Sequence, residues 1–113
     1  METEATRSKR YQWYKTAAVH MWRTYFRYQE DGREPDTVQK QKMFFLCESA
    51  FSQMADYEKK FLPGYYLSKW NSDEEYVEKY SARSGISTIT LWRTVYGSNR
   101  MLFELAGLLE PKE

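Results

Sequence analysis

Charge is unevenly spread along this chain, and the residues able to do chemistry lie where it gathers. Four of the six residues from 73 to 78 are acids: Asp73, Glu74, Glu75 and Glu78. Paired carboxylates can move protons or hold a metal. At the start of a helix, the same residues form a solvated face that complements the positive end of the helix dipole. The Asn71-Ser72-Asp73 cap signal favours that plainer role. Between Thr6 and Gln29 the pattern inverts, with six cations (Arg7, Lys9, Arg10, Lys15, Arg23 and Arg27) and no acid. Such a stripe attracts phosphates even in a chain whose formal net charge is only +1. Arg7, Lys9 and Arg10 are therefore candidate phosphate contacts. The aromatic residues among these cations also allow stacking on single-stranded bases, a membrane-surface role, or packing as a core helix with snorkelling cations. The core-helix role is the commonest use of the pattern.

The other reactive side chains are isolated. The single cysteine, Cys47, falls on an apolar stripe and reads as core. The single histidine, His20, has neither an acid nor a nucleophile near it in sequence. No glycine-rich phosphate loop occurs. The expectation is a protein that is not an enzyme and uses no metal or cofactor. A lone thiol and the lack of an apolar run long enough to cross a bilayer point to the cytoplasm, without a membrane partner.

The elements that position these residues all read as helices. The chain has 113 residues, 18% of them aromatic, enough for one compact domain with a real core. No Gly or Pro interrupts residues 7–29, and apolar residues recur there at helical spacing. The breakers Asp31-Gly32 and Glu34-Pro35 make residues 30–36 a loop, with Asp36 as the next N-cap. Phe44, Cys47, Phe51, Met54 and Phe61 then predict a second long helix over residues 37–61, ended or bent by Pro63-Gly64. A short helix over 65–70 and another over 73–81 follow. Ser87 caps a last helix, with Leu91, Val95, Leu102, Leu105 and Leu109 on one stripe. Gly97 inside it costs about 1 kcal/mol relative to Ala and suggests a bend or a close helix contact.

Residues 73–109 thus form a short helix, a tight turn at Gly85 and a longer helix, which is a helix-turn-helix pattern. Tyr76, Val77 and Tyr80 point inward from the first helix, and Ile86 plugs the core. On the second helix Thr88, Ile89, Trp92, Arg93 and Tyr96 lie on or near the outer face, where its N-terminal half would read base edges in the major groove. Arg83 and the Ser87 cap would touch phosphates. The same pattern also fits a plain corner of a helical bundle with nothing bound.

The stretch EKKFLPGYYLSKW followed by SGISTITLWRTVYGSNRMLFELAGLLE resembles the C-terminal half of the ArpU and RinA-like phage late transcription regulators. The resemblance covers roughly residues 57–110. It rests on a lead-in of Glu58, Lys59, Lys60, Phe61, Tyr65 and Tyr66, then an Ile86-Ser87 turn. Thr90 and Arg93 follow in the recognition helix, and Leu102, Leu105, Ala106 and Leu109 close the segment. It implies a helix-turn-helix similar to that of sigma factors, activating phage late genes at promoter DNA, with RNA polymerase as a further partner.

The expected fold is all-α, about five helices, with an N-terminal helical hairpin (residues 1–62) and a helix-turn-helix region (63–113) packed as one domain. The expected function is sequence-specific binding of double-stranded DNA to control transcription. One short recognition helix reads few bases, so a homodimer is expected, with the Phe- and Met-rich second helix as its interface. The alternative is a small phage protein that modulates a host protein through an aromatic helical face, without DNA.

Overall fold

The computed structural model describes residues 4–68 and 72–107, with side chains from Lys15 onward. The described residues form five helices and no strand: α1 (Glu4–Asp31), α2 (Val38–Ser52), α3 (Asp56–Leu67), α4 (Asp73–Ser84) and α5 (Thr88–Leu105). The all-α expectation therefore holds.

Helix α1 runs until Gly32, whose φ of 65° closes a Schellman turn. The Gly32 N–H donates to Gln29 O at 3.2 Å and the Arg33 N–H to Tyr28 O at 2.9 Å. The cap of α2 is Thr37, one residue after the expected Asp36, and its side chain accepts from the Lys40 N–H at 3.1 Å. Lys40 then ties the second helix to the first. Its Nζ donates to Asp36 Oδ1 at 3.1 Å and to the Tyr28 hydroxyl at 2.8 Å.

The expected long second helix is two helices. The chain leaves α2 at Gln53 and re-enters a helix at Asp56, where Glu58 Oε1 accepts from the Ala55 N–H at 3.0 Å. No Gly or Pro marks this break; the buried Met54 sits in it. Pro63 conversely lies inside α3 and does not end it. It removes one backbone donor, yet Phe61, Leu62, Tyr65 and Tyr66 around it are all buried and hold the helix in place. At Gly64 the two middle helices come close: a Cβ there would collide with the Tyr76 hydroxyl, which donates to Phe61 O at 3.2 Å. Trp70 and Leu109, assigned to helices from sequence, lie outside the described residues.

Helix α5 is the centre of the molecule and packs against all four others. Leu91, Val95, Leu102 and Phe103 are buried, whereas Leu105 is 41% exposed despite its place on the expected stripe. Trp22 of α1 is fully buried and stacks on Phe26 (5.4 Å) and Tyr66 (6.1 Å). Its indole N–H donates to Ser98 O at 3.2 Å. The buried Tyr66 hydroxyl donates to Asn99 Oδ1 at 2.8 Å and shares a 2.9 Å hydrogen bond with Ser98 Oγ. The apolar stripe turns one side of α5 to the core, and these directional bonds add a fixed register. They join α1 and α3 to the third turn of α5 and set which residues its first two turns present outward.

Candidate nucleic-acid interface

Where the sequence predicts a helix-turn-helix, the chain forms α4, a three-residue turn (Gly85, Ile86, Ser87) and α5. Gly85 ends α4 with φ 77°, a left-handed conformation that a Cβ would strain, and its N–H donates to Ser81 O at 3.0 Å. Ser81 Oγ donates to Ile86 O at 2.5 Å and the Ile86 N–H to Ser84 Oγ at 3.2 Å, so the turn is braced from both ends. Ile86 is half-buried against the core. Ser87 caps α5, accepting from the Thr90 N–H at 3.2 Å and sharing a 2.9 Å bond with the Thr90 hydroxyl. The N–H groups of Thr88 and Ile89 have no acceptor within an α-helix, so this end can donate to an anion.

From that end the helix has three sides. Leu91, Val95 and Leu102 face the core. Ile89 (64% exposed), Arg93 and Gly97 face solvent, and Tyr96 (46% exposed) stands at the edge of that stripe. Arg93 makes no hydrogen bond or ion pair with the described residues, whereas Arg100, one turn past Tyr96, is paired with Glu104 at 2.7 Å. A Cβ at Gly97 would meet nothing within 4 Å. Among the described residues, the close helix contact considered from sequence does not occur at Gly97.

Thr88 and Trp92 turn aside into a groove of about 750 Å³ between α1, α4 and α5. Trp92 is half-buried, stacked on Tyr96 at 6.1 Å and edge-on to Tyr65 at 6.1 Å. Of the five expected base-reading residues, Ile89, Arg93 and Tyr96 thus share the open stripe, while Thr88 and Trp92 flank the groove. Tyr96 borders both.

The groove contains residues that sequence reasoning did not assign to this site. Lys15, Val19 and Arg23 of α1 form one wall; their spacing of four residues was the available signal. Asp73, Glu74 and Glu78 of α4 form the other. Asp73 Oδ2 accepts from the Tyr65 hydroxyl at 3.3 Å, and Arg23 Nε donates to Tyr66 O at 3.3 Å. Lys15 Nζ lies 5.9 Å from the Tyr96 ring centroid. Glu75 pairs with Lys79 at 3.5 Å, the surface role expected of it.

Arg83 is exposed in the last turn of α4, just before the turn that leads into α5. Arg7, Lys9 and Arg10 fall on the first turns of α1, and their side chains lie outside the described residues. Cys47 is buried, and burial pushes its thiol up to about 12, so it is a packing group and not a nucleophile at neutral pH. Among the described residues, no group of three His, Cys, Asp or Glu side chains could hold a metal ion, and no helix is long and apolar enough to cross a membrane. The Phe- and Met-rich side of α2 is largely used internally, with Met43, Phe44, Cys47 and Phe51 packed on the core and Phe45 (71% exposed) and Val38 (65%) left outside. No family model, curated protein or solved structure matches this chain.

Proposed function

We propose that the protein is a sequence-specific DNA-binding transcription regulator that lays the N-terminal half of α5 in the major groove. The single observation carrying this reading is that a capped helix, braced behind by Tyr66 and Trp22, keeps Ile89, Arg93 and Tyr96 exposed on its outer stripe. Arg93, without a hydrogen bond or ion pair among the described residues, has the fork that recognises a guanine edge. Ile89 offers an apolar contact of the kind thymine methyl groups accept. Arg83 and the N–H groups after Ser87 supply phosphate contacts that set register without reading sequence. The resemblance to phage late regulators directs the proposal to promoter DNA, with RNA polymerase as a second partner. The shortness of the reading stripe favours a homodimer on paired half-sites.

The test is selection of duplex sites from a random pool, with the wild-type protein and with Arg93→Ala. A reproducible motif with the wild type that degenerates at one position with the variant supports the reading. An identical motif from both overturns the assignment of α5. No enrichment from either favours the second reading, a host protein docked on the aromatic groove, which the partly exposed Trp92–Tyr96 stack supports.

A further inference from the structure

Helix α2 has a side that the fold leaves uncovered. Met43, Phe44, Cys47 and Phe51 pack on the core and fix its inner side. Val38, Lys42, Phe45, Glu48 and Ser52 recur on the opposite side at helical spacings of three and four. Among the described residues, no large apolar side chain is more exposed than Phe45 at 71%, and Val38 is 65% exposed. Phe45 is also the middle residue of α2, which runs from Val38 to Ser52. Lys42 lies three residues before it and Glu48 three residues after it. Both are exposed, and neither makes an ion pair among the described residues. The stripe is thus an apolar centre with one cation and one anion placed symmetrically about it.

We infer that this stripe binds the same stripe of a second copy, with the two α2 helices antiparallel about a two-fold axis at Phe45. The inference deepens the homodimer of the DNA-binding reading and rests on that reading for its role, but the interface forms in the free protein. A two-fold contact uses one patch twice, so the patch has to complement itself. In an antiparallel pair centred on Phe45, a residue before the centre lies level with the partner residue equally far after it. Lys42 then lies level with the partner's Glu48, and the same ion pair repeats on the other side of the axis. The two Phe45 rings meet between these pairs, giving an apolar centre with a charged rim. Gln41 lies level with the partner's Ser49 and Val38 with the partner's Ser52, so a larger side chain faces a small one each time. A parallel pair about the same centre sets Lys42 on Lys42 and Glu48 on Glu48, and like charges reject it. The charge placement therefore selects both the second copy and its direction. An unrelated partner needs no such symmetry about Phe45.

The experiment is sedimentation equilibrium of the full chain without DNA, at low salt and from about 1 μM to 1 mM. It compares the wild type with Phe45→Gln, Lys42→Glu, Glu48→Lys and the double reversal Lys42→Glu/Glu48→Lys. All four variants change exposed side chains, and each is checked for helical content. The wild type should dimerise, and Phe45→Gln should weaken the dimer at least about tenfold. Each single reversal sets like charges against each other at both ends of the axis and should weaken it by about tenfold. The double reversal restores opposite charges across the axis and should return the dimer to near wild-type strength. A wild type that stays monomeric throughout overturns the inference. So does a Phe45→Gln dimer as strong as the wild type, which puts the interface elsewhere, or a double reversal no better than the single ones. Site selection from the random pool separates the two readings. A reproducible motif from a monomeric wild type leaves the DNA reading standing and the interface wrong. Dimerisation with charge-swap rescue but no motif leaves the interface standing and the DNA reading wrong.

Discussion

Arg93 matters because no described side chain holds it. A guanidinium tied to a carboxylate, as Arg100 is to Glu104, must break that bond before meeting a base, whereas Arg93 has no such bond to a described residue. Replacing Arg93 with Ala should cost about 1–3 kcal/mol of binding to the selected site and relax choice at one position. Arg93→Lys should recover part of the affinity through its charge but not the site choice, because an ammonium lacks the two-pronged fork. Equal site choice by the Lys variant, measured by competition among single-base variants of the site, would rule out a bidentate contact. The buried ionisable groups make a separate prediction. Burial raises the Cys47 thiol from its ordinary 9.0 to about 12 and lifts the Tyr66 phenol above its ordinary 10.0. Both ionise more readily in the unfolded chain, so their effect on stability is nil below pH 9 and grows unfavourable as pH climbs toward 12. Denaturant midpoints should therefore hold steady up to about pH 9 and fall above it. Cys47 should resist thiol reagents until the protein unfolds.

Glycines show how the same residue type serves opposite purposes on different helices. Gly64 exists for clearance: a Cβ there would strike the Tyr76 hydroxyl, so Gly64→Ala should force α3 and α4 apart and destabilise by about 1–3 kcal/mol. Gly97 has open space around it, so Gly97→Ala should stabilise α5 by up to about 1 kcal/mol. Thermal melts of the two variants should move in opposite directions; a shared direction would mean the packing at one of the positions is misassigned. Elements marked by local chemistry were legible in the sequence. Gly85, Ile86 and Ser87 announce a turn and a cap, and the leucines behind them announce a buried side. The division of α2 from α3 was not legible, because it depends on burying Met54 in the core and carries only a weak signal in Glu58. Pro63 misled for a related reason: its missing donor costs less than the four buried side chains around it contribute. The groove wall of α1 was half-legible, since Lys15, Val19 and Arg23 share a side but nothing local says what they face.

At the scale of the whole molecule, every helix reports to α5. The fully buried Trp22 stacks on Phe26 and Tyr66 and bonds to Ser98 O, so one side chain links three helices. Trp22→Ala should cost about 3–5 kcal/mol, a large share of the 5–15 kcal/mol that holds a domain this size together. Far-UV and near-UV signals should fall together in its melt; loss of near-UV signal alone would show that the helices stand without the aromatic core. Because α5 is fixed on its inner sides, its outer stripe is presented rigidly, and binding there needs little rearrangement. The direct test is to follow backbone amide resonances while adding the selected duplex. The account predicts that the largest shifts fall between residues 83 and 97, centred on Ile89 and Arg93, with little change on α2. Shifts centred on Phe45 and Val38 of α2, or on Lys15 and Arg23 in the groove, would contradict it.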